Sequence, residues 1–170
     1  MIIPLYALDE MMVKAIDSDE FQNFSNALIG SELSIYVDAD LSEMAEKSNY
    51  IYIANFKKLE DKEERREEYY NAYIDVVITR HDSVTVGRVT KKEDKKKIEL
   101  LSLKAIEVID EALNFDGLEW VDVNGEEQET KDLRLLGLVS DIGATKKTKD
   151  IKLILSLTFG NTDKTLGVCK

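Results

Sequence analysis

Two apolar runs, Tyr50 to Phe56 and Tyr69 to Thr79, flank a block of dense mixed charge, and together they constrain the fold more than any other feature of the chain. Both runs are rich in aromatic and β-branched residues, which suit a pleated and partly buried surface, so both read as strands. In the second, Tyr70, Ala72, Ile74, Val76 and Ile78 fall on one face, and Tyr69, Asn71, Tyr73, Asp75 and Val77 on the other. The first face is core and the second is mixed. In the first run, Tyr50, Tyr52 and Phe56 share a face opposite Ile51 and Ile53.

The remaining pattern alternates helices and strands. Leu5, Leu8, Met12 and Ile16 recur at helical spacing, and Asp17 with Glu20 suits a capping box opening a second helix bearing Phe21, Phe24 and Leu28, which Gly30 ends. A short strand is expected over Leu33 to Val37, then one or two helical turns between Asp40 and Lys47. Thr90 and Glu93 form a second capping box, and Ile98, Leu101, Ala105, Ile109 and Ala112 mark an amphipathic helix ending near Asn114. Lys95 to Lys97 sit at the wrong end of its dipole, at a cost of about 0.3–1 kcal/mol per charge unless solvent or an acidic partner offsets it.

Asn124-Gly125 after Trp120 to Val123 predicts a hairpin with a type I′ turn. Leu133 to Ile142 and Ile151 to Phe159 complete the pattern; Ile151, Leu153, Leu155, Leu157 and Phe159 alternate with Lys152, Ile154, Ser156 and Thr158. Two or three helices with consecutive late strands predict an α+β fold: a mainly antiparallel sheet with helices packed on one face.

At 170 residues with 44% hydrophobic content, the chain suits a single domain spanning residues 1–170. Pro occurs once and no linker or repeat divides it. It has no apolar run of membrane-spanning length, and its start lacks the basic and small-residue features of a signal peptide, so a soluble, unsecreted protein is expected. The single cysteine, Cys169, permits no internal disulfide and no thiol cluster for a metal. A net charge of −11 opposes a grip on phosphate backbones, whose affinity depends on Lys and Arg releasing counterions. An acidic surface would instead repel a strand sliding past it.

The charged block from Lys57 to Glu68 holds five basic and six acidic residues, too balanced for phosphate binding. It reads as a projecting connection between antiparallel strands, with Asp61 to Arg65 and Lys62 to Arg66 spaced for a helical turn. Two roles are open to it: a solvated loop, or a loop whose charges dock to a neighbouring subunit. His81, the only histidine, lacks a nucleophile in a strained turn to activate and reads as a surface residue. Asp38-Ala-Asp40 and Asp17-Ser-Asp19 match a metal-binding spacing, but an Asp-rich chain produces such pairs by chance, and caps and turns are expected there. Gly143 to Thr148 lacks the second glycine of a phosphate loop and precedes a strand, so a hairpin loop is expected. No catalytic residue, metal ligand or cofactor is assigned.

The second face of the middle strands, with Tyr50, Tyr52, Phe56, Tyr69 and Tyr73, would be exposed on a sheet covered on one side only. Monomers rarely expose large apolar patches, so either another element covers it or it meets another subunit.

In element order, YNAYIDVVITRHDSVTVGRVTKKEDKKKIELLSLKAIEVIDEAL and LRLLGLVSDIGATKKTKDIKLILSLTFG resemble the tail terminator and head-to-tail joining proteins of long-tailed bacteriophages. The similarity lies in element order and hydrophobic pattern over most of Tyr50 to Gly160, without a signature motif. It implies a non-enzymatic structural subunit of the virion, made in the host bacterial cytoplasm. Such subunits form a ring, usually a hexamer, that ends the tail tube, meets tail-tube and capsid connector proteins, and lets DNA pass without specific binding. A closed ring needs a heterologous interface. Its candidate residues are Tyr50, Tyr52, Phe56, Lys57, Lys58, Arg65, Arg66, Tyr69 and Tyr73. The rival readings are an acidic cytoplasmic adaptor between proteins and a divalent-metal-dependent hydrolase using Asp38, Asp40 and Asp75. The hydrolase requires those carboxylates to converge on one cleft.

Overall fold

The computed structural model describes residues 3–38, 49–62, 65–79, 84–91, 93–144 and 150–161. Three helices, α1 (Leu5–Ile16), α2 (Asp19–Ile29) and α3 (Glu93–Phe115), lie among the described residues. The strands are β1 (Ser34–Val37), β2 (Tyr50–Lys62), β3 (Arg65–Thr79), β4 (Val84–Val86), β5 (Val89–Lys91), β6 (Leu118–Val121), β7 (Glu127–Thr130), β8 (Leu133–Ala144) and β9 (Asp150–Asn161). Five of them form one sheet in the order β1-β2-β3-β9-β8, antiparallel except for the parallel pair β1-β2; β4-β5 and β6-β7 are separate hairpins. This is the expected α+β architecture. The segment from residue 38 to residue 49 gives the parallel pair β1-β2 the dozen residues that such a return requires.

The alternation read from β3 sets the layers. Tyr70, Ala72, Ile74, Val76 and Ile78 are all buried, opposite Phe159, Leu157, Leu155, Leu153 and Ile151 of β9. Ile51 and Ile53 of β2 join the same face. The helices close over it with Leu8, Met12, Ile16, Phe21, Ile98, Leu101, Ala105 and Ile109, each fully buried. At about 1.5–3 kcal/mol for each large apolar side chain removed from water, this layer is the main source of stability.

Several local signals resolve differently from their sequence reading. Ser18, rather than Asp17, caps α2: its Oγ accepts from the Phe21 N–H at 3.3 Å and donates to the Ala15 carbonyl at 2.6 Å. Asp17 instead closes α1. Thr90 belongs to β5 and α3 begins at Glu93, because pairing of Thr85 with Thr90 claims the residue for a hairpin. Gly30 does stop α2, at a φ of 75°. The β6-β7 connection is not type I′. Its i to i+3 bond runs from the Gly125 N–H to the Asp122 carbonyl at 3.0 Å, which makes Val123 and Asn124 the central residues. Only Gly125 has positive φ there, so this is a type I turn with a left-handed glycine following. Asp122 explains the preference. Its Oδ1 accepts from the N–H groups of Asn124 and Glu126 at 2.9 Å each, and Gln128 binds Oδ2, which holds the carboxyl below its ordinary range, chiefly through Glu126. The two turns expected between Asp40 and Lys47, and His81, lie outside the described residues.

A buried glutamine locks the helical layer to the sheet. Gln22 accepts the Leu33 N–H at 2.9 Å and donates to the carbonyls of Leu33 and Ile16 at 3.1 and 3.2 Å. Replacing Gln22 with Ala leaves three buried backbone groups short of partners, and we expect urea denaturation to show a loss of about 2–4 kcal/mol.

Asp9 on α1 gives a second prediction. Burial, then the charges of Asp38 and Glu10, raise its pKa from 3.8 to about 6. The native state therefore binds more protons than the unfolded chain between these values, so stability falls as pH rises through that window. Asp9→Asn is expected to raise the melting temperature at pH 8, with the difference vanishing near pH 4.

Candidate subunit interface

The face of the sheet away from the helices is open among the described residues. The β2-β3 register sets Tyr50 against Val77, Tyr52 against Asp75 and Ala54 against Tyr73; across β3-β9, Asp75 meets Ile154 and Tyr73 meets Ser156. Tyr73 is 41% exposed and Val139 of β8, level with Ser156, is 69% exposed. Tyr50 and Tyr52 are half-buried, and Tyr50 stands edge-on to Tyr36 of β1 with ring centroids 5.8 Å apart. Val77 is the buried exception on this face. The polar members are paired: Lys152 reaches Asp75 at 2.8 Å, and Thr158 donates to Asn71 at 3.1 Å. A sheet face that combines tyrosines and aliphatic groups with internally neutralised charge is suited to protein contact.

The charged block departs from expectation. In place of a loop with a helical turn, strand pairing continues through it to Lys62 and Arg65, so only Glu63 and Glu64 join the strands. The block itself has no strand periodicity; the β2-β3 ladder from Tyr50 to Phe56 simply continues through it, residue by residue, and overrides the helical charge spacing. The β3-β9 ladder stops at Tyr70 and the β1-β2 ladder at Ile53, so the far part of β2-β3 is a two-stranded ribbon extending past the sheet. Along it, Phe56 is level with Asn71, Lys57 with Tyr70, Lys58 with Tyr69, Asp61 with Arg66 and Lys62 with Arg65.

The candidate residues thus fall into two contiguous groups. Tyr50, Tyr52 and Tyr73 lie on the open face, while Phe56, Lys57, Lys58, Arg65, Arg66 and Tyr69 occupy register positions at the root and along the ribbon. Tyr36, Val139 and Ile154 share the open face with these candidates but were not among them. Tyr36 and Ile154 were legible as off-phase members of alternating strands; Val139 was hidden by the register shift between Leu135 and Gly137, which changes which β8 residues face the helices.

The carboxylates of the hydrolase reading do not converge where they are described. Asp38 follows β1 on the helix side, near enough to Asp9 to raise its pKa, whereas Asp75 is on the open face against Lys152. Asp40 lies outside the described residues. A carboxylate group does form elsewhere, from the exposed Glu20, Glu107 and Glu111, but Lys104 sits within it, 2.9 Å from Glu20 and 3.5 Å from Glu107. The Glu20 contact raises the Lys104 pKa, and the same ammonium lies 5.7 Å from the Phe24 ring, so the group is a seam between α2 and α3. Among the described residues no helix is long and apolar enough to cross a membrane.

No protein-family model matches the chain, and no curated protein does. Among solved structures, it is similar to a chain of the virion of a native gene transfer agent particle, with 14% identity, a TM-score of 0.48, and coverage of 92% of this chain and 96% of the other.

The two sides of β3 should respond differently to truncation. Ile74→Ala is expected to cost about 2–5 kcal/mol, whereas Tyr73→Ser should cost under about 1.5 kcal/mol, both read from thermal denaturation of dilute protein.

Proposed function

We propose that the chain is a structural subunit of a phage-type virion that assembles into a ring, a hexamer, at the head-proximal end of a tail. There it ends the tail tube and joins it to the capsid connector. The observation that carries this reading is the two-sidedness of the sheet: the described helices cover one face, while the other presents Tyr50, Tyr52, Tyr73, Ile154 and Val139 beside a ribbon that extends past the sheet. A ribbon that leaves its own sheet gains buried surface by meeting a different patch on the next subunit, and repetition of that contact closes a ring.

The charge balance fits the same role. An acidic passage would let DNA move without being held, and the net charge of −11 per subunit is consistent with one. The element order shared with tail terminators and head-to-tail joining proteins supports the position in the virion. The role is non-enzymatic, with the docking partners being tail-tube and connector proteins.

The test is the mass of the assembled protein by light scattering after size exclusion, over a wide concentration range and in the presence of tail tubes. A species near six times the 19.4 kDa of one chain supports the ring. A monomer under every condition rejects it. Charge reversal of Arg65 and Arg66 to Glu is expected to weaken association at least tenfold without lowering the melting temperature. Unchanged association in that variant would remove the ribbon from the interface.

A further inference from the structure

Two electrostatic conflicts of opposite sign stand at the two ends of α3. At its N-terminal end Lys95 and Lys96 are exposed and Lys97 half-buried, all in the first turns, where the helix dipole disfavours positive charge. None of the three forms an ion pair among the described residues. At the C-terminal end the β6-β7 hairpin places Glu119 directly opposite Glu129, both exposed, on the same face of a two-stranded ladder. Like charges directly opposite in an antiparallel pair destabilise it.

These glutamates rim a groove between α1, α3 and the hairpin, whose floor includes Ala7, Met11, Val108 and Leu118. Phe115, 79% exposed, stands at its edge. Glu10, Glu111 and Asp116 also line it, against Lys14 and Lys131 as the only basic members among the described residues, so the described rim is strongly acidic. Along α3 the lysines and the groove residues Val108 to Phe115 are held on average about 23 Å apart on one rigid rod, at a rise of ~1.5 Å per residue. That separation prevents the chain from satisfying one end with the other.

We propose that the acidic groove at the C-terminal end of α3 docks the lysine-bearing N-terminal end of α3 from a second copy of this chain. The contact rests on the self-assembling reading above and supplies it with a heterologous pair of patches distinct from the open sheet face. Each conflict is relieved by the other: the lysines gain carboxylate partners, and the Glu119/Glu129 repulsion is neutralised. Because the two patches differ and lie at opposite ends of one helix, the contact repeats head to tail. Charge complementarity also provides attraction between copies whose net charge of −11 otherwise keeps them apart.

The experiment uses two double variants of the full chain, Lys95→Glu/Lys96→Glu and Glu119→Lys/Glu129→Lys, with self-association measured by sedimentation at low and high salt. Both variants are expected to associate at least tenfold more weakly than the wild type. Lys95→Glu/Lys96→Glu also removes the conflict with the helix dipole and is expected to melt at a higher temperature, whereas Glu119→Lys/Glu129→Lys keeps like charges opposite each other in the hairpin and is expected to melt no higher than the wild type. An equimolar mixture restores association, since every reversed patch then meets a complementary one. Assembly of either variant alone at wild-type strength overturns the contact and leaves the ring reading standing. A wild-type chain that stays monomeric with tail tubes present overturns both. Weak association without recovery in the mixture also overturns the contact.

Discussion

The burial of one face of β3 is the constraint on which the rest of this structure depends. Ile74 and Val76 sit at the centre of the five-stranded sheet, fully buried between β2 and β9 on their flanks and the helices above. A strand side chain period of two then forces Tyr73 and Asp75 onto the opposite face, and a slip of one residue would exchange the two sets. The core therefore fixes the composition of the open face as well. The tyrosines are where they are because the isoleucines must be inside.

That coupling makes the two faces of the sheet chemically different. The apolar layer under the helices provides the stability of the subunit, with Gln22 tying α2 and the end of α1 to the lead-in of β1. Asp75 with Lys152, and Asn71 with Thr158, pair their polar groups locally on the open face, beside its tyrosine and aliphatic side chains.

Much of the architecture was legible because its signals were long and periodic. The alternation in β3 and β9 and the spacing along α3 identified the core face, and nearly every residue assigned to it is buried. What failed were short signals in competition with a neighbour. Thr90 could cap a helix or pair in β5, and Asn124-Gly125 could form a type I′ turn until Asp122 captured the N–H groups of Asn124 and Glu126. The ribbon from Lys57 to Glu68 was misread as a loop because its composition is charged, yet β-pairing depends on the ladder it extends. In the candidate interface, Tyr50, Tyr52 and Tyr73 followed from alternation, whereas Val139 required knowledge of a bulge that no residue type marks.

The central claim is that the open face and the ribbon meet a different surface on an identical neighbour, and that repetition of this contact closes. Direct imaging of the concentrated protein by negative-stain electron microscopy tests closure itself. The account predicts annular particles of uniform diameter with a central opening and a fixed number of subunits. Open filaments of varying length, or compact dimers with no opening, would contradict it.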